Sequence, residues 1–179
     1  LPARLESASA ASRRPRRWSR RRRPAMNTIQ ITRQSQDAPA DDAQLEALVR
    51  SICERFGLVG ATIGVGIVDD AQMAELNRRF LNHEGTTDCL SFDLSDTETP
   101  DGLRVFEVVV NAQMAGREAA RRGHSPQAEL ALYVTHGLLH QLGFDDAVPE
   151  QAQTMHRTED EILQHAGFGV VYNSRPESP

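Results

Sequence analysis

Two cysteines, Cys53 and Cys89, are too few for a disulfide framework or a four-cysteine zinc site, and a chain that uses cysteine so sparingly suits a reducing compartment. Long apolar runs are missing as well. The charge-free apolar run Gly57 to Val68 is 12 residues, well short of the roughly 20 that a helix needs to cross a bilayer. Tryptophan occurs once, at Trp18, in a segment set apart by its charge. What is present is ordinary for a globular chain: 39% hydrophobic residues and 12 glycines in 179 positions, which excludes collagen-like and wholly disordered classes. That length is room for one domain, with or without a tail.

The net charge of −5 conceals a split. Residues 1–25 hold nine arginines and one glutamate, whereas residues 26–179 hold eleven arginines, no lysine and 24 acids, a net −13. A different kind of chain therefore begins near Met26, the expected start, which is followed at once by a strand pattern. The Arg-rich segment has three readings. Clustered arginines can neutralise phosphates, so it can be a nucleic-acid arm. Its Arg and Ser content and lack of acids suit a transit peptide, although no amphipathic face can be drawn through it. The plainest reading is a disordered extension upstream of the true start. A secretory signal is excluded because no apolar stretch follows the arginines.

From Met26 the pattern alternates between strand and helix. Thr28 to Arg33 and the β-branched Ala61 to Val68 read as strands, as do Cys89 to Phe92 and Arg104 to Val110. Leu45, Leu48, Val49, Ile52 and Phe56 recur at helical spacing behind Asp41 and Asp42, and Gly57 suits the stop. A second helix, capped by Asp69 or Asp70, runs through Met73, Leu76, Asn77 and Phe80 to a polar loop over Asn82 to Thr87. Ser95 to Gly102 is turn-rich and expected to be mobile. Three more helices follow: Ala112 to Arg122, Ser125-Pro126 to about Leu142, and Pro149 to near Gly167. The expected fold is a single α/β domain over residues 26–179, with a mixed four-stranded sheet packed against about five helices.

The chemistry concentrates on the most apolar of these helices. His136 and His140 lie four apart, which stacks both imidazoles on one helical face and lets two nitrogens meet one metal. Such pairs are expected about 0.2 times by chance in this composition, but the full string His-x-x-x-His-x-x-Gly-x-x-Asp only about 0.001 times. Gly143 lets the chain leave the helix at positive φ and turn back. Asp146 then becomes a third ligand, and the fourth position stays open, as in catalytic rather than structural sites. Metallopeptidases with this spacing carry Glu directly after the first His as general base. Here that residue is Gly137, so a peptidase would need another base.

The string His136-Gly-Leu-Leu-His140-Gln-Leu-Gly143-Phe-Asp145-Asp146 resembles the signature of the YbeY family of bacterial endoribonucleases. Leu76-Asn77 resembles that family's Leu-Asn near a helix end, and Thr87-Asp88-Cys89-Leu90-Ser91-Phe92 its Thr-Asp-Val-Leu-Ser-Phe; Met155 to Leu163 is similar to its closing helix. The resemblance covers nearly all of residues 26–179. It implies a small α/β domain in the cytoplasm holding zinc, one per chain, or another divalent metal. It also implies cleavage of single-stranded RNA in rRNA maturation, including the 3′ end of 16S RNA, and ribosome quality control. The implied partners are rRNA and the ribosome or its small subunit, with neither DNA nor a membrane.

Two positions depart from the family. Its third metal ligand is a His where this chain has Asp146, and its activity-linked Arg falls at Leu81. A carboxylate ligand favours harder metals. Arg78 and Arg79 lie within a turn of Leu81 and are catalytic candidates, as is Asp145, which can steady a ligating imidazole or cap the turn; His83 is a further loop candidate. Arg104, Asp88, Ser91 and Glu107 are the candidate substrate contacts, with Arg117, Arg121 and Arg122 as further cations for phosphate. A domain at −13 will not hold RNA by bulk charge, so affinity must come from a local patch or a ribosomal partner. Three functions remain open on the sequence: the endoribonuclease, a ribosome-associated factor whose chemistry has lapsed, and a metallopeptidase.

Overall fold

The computed structural model describes residues 26–35, 41–96 and 103–173. The Arg-rich segment and most of the turn-rich stretch, residues 97–102, lie outside the described residues. Elements follow in the order β1 (Thr28–Arg33), α1 (Asp42–Arg55), β2 (Thr62–Val68), α2 (Asp70–Leu81), β3 (Cys89–Asp93), β4 (Val105–Asn111), α3 (Ala112–Arg122), α4 (Pro126–Gln141) and α5 (Pro149–His165). The four strands form one sheet in the order β1-β2-β4-β3. β1, β2 and β4 run parallel, and β3 is an antiparallel edge whose Ser91 faces Val108. The expected mixed sheet and five helices are all present.

Strand alternation divides the sheet into two unequal faces. Ile63, Val65 and Ile67 of β2 with Phe106, Val108 and Val110 of β4 point into the main core, which α1, α4 and α5 close. Val68, Leu90 and Val109 point the other way, toward Met73 and Leu76 of α2. A helix that is apolar all round belongs inside. That holds for α4, where eleven of the residues from Ala128 to Leu139 are buried. Ser125 starts it, accepting from the Ala128 N–H, with Pro126 in the first turn. The helix therefore passes through the centre of the domain and carries His136 and His140 to a fixed depth.

Local signals explain the other boundaries. Asp41 caps α1, and Asp69 rather than Asp70 caps α2 in a reciprocal box with Gln72. Relieved of capping, Asp70 pairs with Arg117 at 2.6 Å and accepts from Asn111 Nδ2. Asn111, fully buried, caps α3 with its oxygen while its amide also donates to Thr86 Oγ1 and the Thr87 carbonyl. This network ties the 82–88 loop to the ends of β4, α2 and α3, and so fixes where Asp88 stands.

Candidate metal centre

His136 and His140 present their rings edge to face, 88° apart, with Nε2 atoms separated by 3.1 Å. Gly143 does turn the chain at positive φ, 92°, and the returning loop brings Asp146 Oδ2 to 3.8 Å from His136 Nε2 and Oδ1 to 3.7 Å from His140 Nε2. Four-coordinate bonds of 2.0–2.1 Å place neighbouring ligand atoms about 3.3 Å apart. The three observed separations bracket that value, so the group can hold a metal ion.

The tautomers make the case stronger. His136 Nδ1 lies 2.7 Å from Glu159 Oε1, and His140 Nδ1 lies 3.2 Å from the Phe144 carbonyl oxygen. Both partners are acceptors, so each neutral ring donates from Nδ1 and turns a bare Nε2 lone pair toward the other. Two lone pairs and a carboxylate converging on one point repel unless a metal ion lies between them or one ring carries a second proton on Nε2. Burial disfavours the charged form of His136, but the Glu159 hydrogen bond and charge, with Asp88 and Asp146 behind them, outweigh it, and its pKa stands above the usual histidine value.

Glu159 is not among the residues that the sequence singles out. It is fully buried on α5 and bridges two imidazoles, taking His136 Nδ1 on one oxygen and His156 Nδ1 on the other at 2.9 Å. This is the carboxylate–histidine arrangement that fixes the orientation of a ligating ring. By sequence Asp145 is the candidate for that role, and the structure gives Asp145 the humbler one. It is exposed and accepts from the Ala147 N–H, capping the turn.

A cleft of about 250 Å³ opens on this centre, lined by Asp88, Arg122, Glu129, Tyr133, His136, Asp146, His156, Glu159 and Tyr172 among others. Asp88 thus reaches the site while also holding the start of β3, accepting from the Cys89 N–H and the Thr87 hydroxyl. Arg122 is the cation in the lining. Glu129 is wholly buried beside it, with His124 Nε2 at 2.9 Å and Arg122 at 3.7 Å. Burial raises its pKa, opposed by Arg122, by His124 and by a hydrogen bond from the Tyr133 hydroxyl. His124 and His156 are both mostly buried against glutamates.

The other candidates lie elsewhere. Ser91 faces α4, but its hydroxyl accepts from Gln141 and serves to seat that helix. Glu107 follows strand alternation onto the opposite face of the sheet, one residue away from the inward Val108. There it lies over Gly64, where a Cβ would come within 1.8 Å of its carboxylate, and burial raises its pKa. It lines a separate cavity of about 700 Å³ against α2. Arg78 is exposed and paired with Glu75, and Arg79 lies over the Phe80 ring. Arg104 lies over Phe106 at the start of β4. None of these three arginines lines the cleft.

Gly137 explains its own identity. A Cβ there would stand 2.6 Å from Val108 Cγ1 and 3.6 Å from Ser91 Cβ, so this position faces the sheet. The peptidase reading therefore loses more than its glutamate, because a side chain at 137 would be driven into Val108 rather than toward the histidines.

The family model described as Endoribonuclease YbeY matches residues 30–167. This chain belongs to the YbeY family. Endoribonuclease YbeY of Thermobifida fusca is 38% identical over 132 residues, spanning 70% of this chain and 85% of that protein. The Arthrobacter sp. enzyme of the same name is 34% identical over 145 residues, spanning 76% and 91%. A Thermotoga maritima protein solved in solution superposes with a TM-score of 0.53 at 20% identity. The match covers 86% of this chain and all of that one, a likeness of fold. Among the described residues no helix is long and apolar enough to cross a membrane.

Proposed function

We propose that this YbeY chain is a hydrolytic endoribonuclease specific for single strands. Its setting is the cytoplasm, where it matures rRNA at the 3′ end of 16S RNA and takes part in ribosome quality control at the small subunit. The endoribonuclease class comes with the family. One observation carries the mechanism: two imidazoles whose Nδ1 protons are both committed elsewhere, so that bare Nε2 atoms 3.1 Å apart converge with a carboxylate.

His136, His140 and Asp146 would hold the metal, which we take to be zinc. A metal so placed supplies Lewis acidity toward water or a phosphoryl oxygen. The protein's own residues supply the rest. Glu159 keeps His136 in the tautomer and rotamer that a ligand needs. Gly143 fixes the return of Asp146. Arg122 stands in the cleft where a phosphodiester would lie and can meet its charge. Asp146 in place of the family's imidazole makes the donor set harder, so manganese or magnesium competes better than it would with three histidines. Asp146→His is expected to shift preference toward zinc in a two-metal competition.

A second reading has one observation behind it. Leu81 is 52% exposed where the family carries its arginine, and neither Arg78 nor Arg79 lines the cleft. This favours a ribosome-associated factor without chemistry. Labelled single-stranded RNA offered to the wild type and to His140→Ala, with metal quantified in both, separates the two. The nuclease reading expects about one metal per chain and cleavage in the wild type, and neither in the variant. Metal without cleavage in the wild type would overturn it.

A further inference from the structure

The cleft over the metal centre adjoins a second cavity of about 500 Å³, and His156 and Tyr172 line both. Their rings are stacked face to face, with centroids 3.5 Å apart and planes 11° from parallel. Each ring is held from behind. His156 donates from Nδ1 to Glu159 Oε2 at 2.9 Å. Tyr172 is held through its backbone by Asp160, a carboxylate only 8% exposed. Asp160 accepts from the N–H groups of Val171 and Tyr172 at 2.9 Å each, and from Asn173 through both its N–H and its side-chain amide. A buried acid met by four N–H donors from three consecutive residues fixes that stretch tightly. Tyr172 nevertheless keeps 40% of its surface open.

We propose that the Tyr172–His156 stack is a nucleobase platform. A base of single-stranded RNA lies against the Tyr172 ring while an adjoining phosphate enters the cleft over His136, His140 and Asp146. The proposal rests on the endoribonuclease reading and specifies how substrate is held. Proteins that take single strands without sequence preference combine aromatic faces with cations that track the backbone. Arg122 lines one cavity and Arg157 the other, and the stacked pair lines both. Stacking also suits a domain as acidic as this one, since it draws affinity from a π face and needs no positive field. A base-paired strand has its faces already occupied, so the platform selects unpaired RNA.

The test uses a fluorescent six-nucleotide RNA, intact or with one abasic residue, and the full chain as wild type, Tyr172→Phe and Tyr172→Leu. Binding is read by anisotropy in chelator, and KM and kcat with metal restored. Both variants keep the backbone N–H groups that Asp160 holds, and melting midpoints check that they fold. Tyr172→Phe is expected to match the wild type. Tyr172→Leu is expected to bind about tenfold more weakly, with KM raised by a similar factor and kcat and metal content unchanged. The abasic RNA is expected to lose the same factor on the wild type and nothing on Tyr172→Leu. If Tyr172→Leu binds and cuts as the wild type does, or the abasic strand binds the wild type as well as the intact one, the platform is overturned and the nuclease reading stands. If metal-loaded wild type neither binds nor cuts single-stranded RNA, both fall.

Discussion

Glu159 governs the candidate centre from outside the group of three that could hold a metal, because one of its oxygens decides which nitrogen of His136 is left bare. Replacing it with Gln keeps the shape but weakens the acceptor, and the amide can serve only one of the two imidazoles well. Glu159→Gln is expected to lower metal affinity about 10–100-fold, measured by competition with a chromophoric chelator, whereas Asp145→Ala should leave affinity unchanged. The contrast shows what could be read from residues alone. His136, His140 and Asp146 were legible because helical spacing and a positive-φ glycine bring them together within eleven positions. Glu159 arrives from another helix, and that contact is tertiary. A signal existed all the same: Met155, Ile162 and Leu163 define an apolar stripe on α5, and Glu159 falls within it. An acid in such a stripe requires a buried partner. Glu107 carried the opposite signal, since alternation with the inward Val108 already assigned it to the far face.

At the scale of elements, the site depends on how closely α4 lies against β3 and β4. Gly137 permits that contact, and Val108 is branched and held on all sides. Gly137→Ala is expected to cost about 1–3 kcal/mol of stability in urea unfolding, and to reduce metal occupancy as well, because the helix must lift and take both histidines with it. A loss of stability with full occupancy would show instead that the sheet yields. The loop before β3 is held differently, through Asp70. Arg117, ahead of the opposing cost of burial and the Asn111 amide, lowers its pKa. A depressed carboxylate contributes stability above its unfolded value, near 3.9, and loses it as pH falls through the folded one. Arg117→Met is therefore expected to be less stable than the wild type at pH 6, by no more than about 1 kcal/mol because the pair faces solvent. In melting curves the difference should close below about pH 4. Boundaries such as these were readable from Asp41, Asp69, Ser125 and the glycines, since caps are local. The bond from Asp70 to Asn111 was not, since it joins residues 41 apart.

Across the whole molecule, acidity is the dominant electrostatic fact. With 24 acids against eleven arginines in residues 26–179, few phosphates can be neutralised. Two contacts of about −0.7 each predict a slope of log K on log salt near −1.4 for single-stranded RNA. A slope steeper than about −4 in an anisotropy titration would point to a basic surface outside the described residues. The layered α/β arrangement was recoverable from the sequence because strand and helix periods alternate cleanly, whereas the strand order β1-β2-β4-β3 is set by long-range packing.

That order has a consequence for how the chain is made. The sheet is complete once Asn111 has been added, yet the helix that covers the centre of its apolar face, α4, begins only at Pro126. For the time it takes to synthesise α3 and α4, Ile63, Val65, Phe106 and Val108 face water or whatever else is near the emerging polypeptide. A polypeptide halted at Arg122 would keep every strand and still be sticky. The same residues that seat the two histidines therefore decide when, during translation, the apolar face of the sheet is covered.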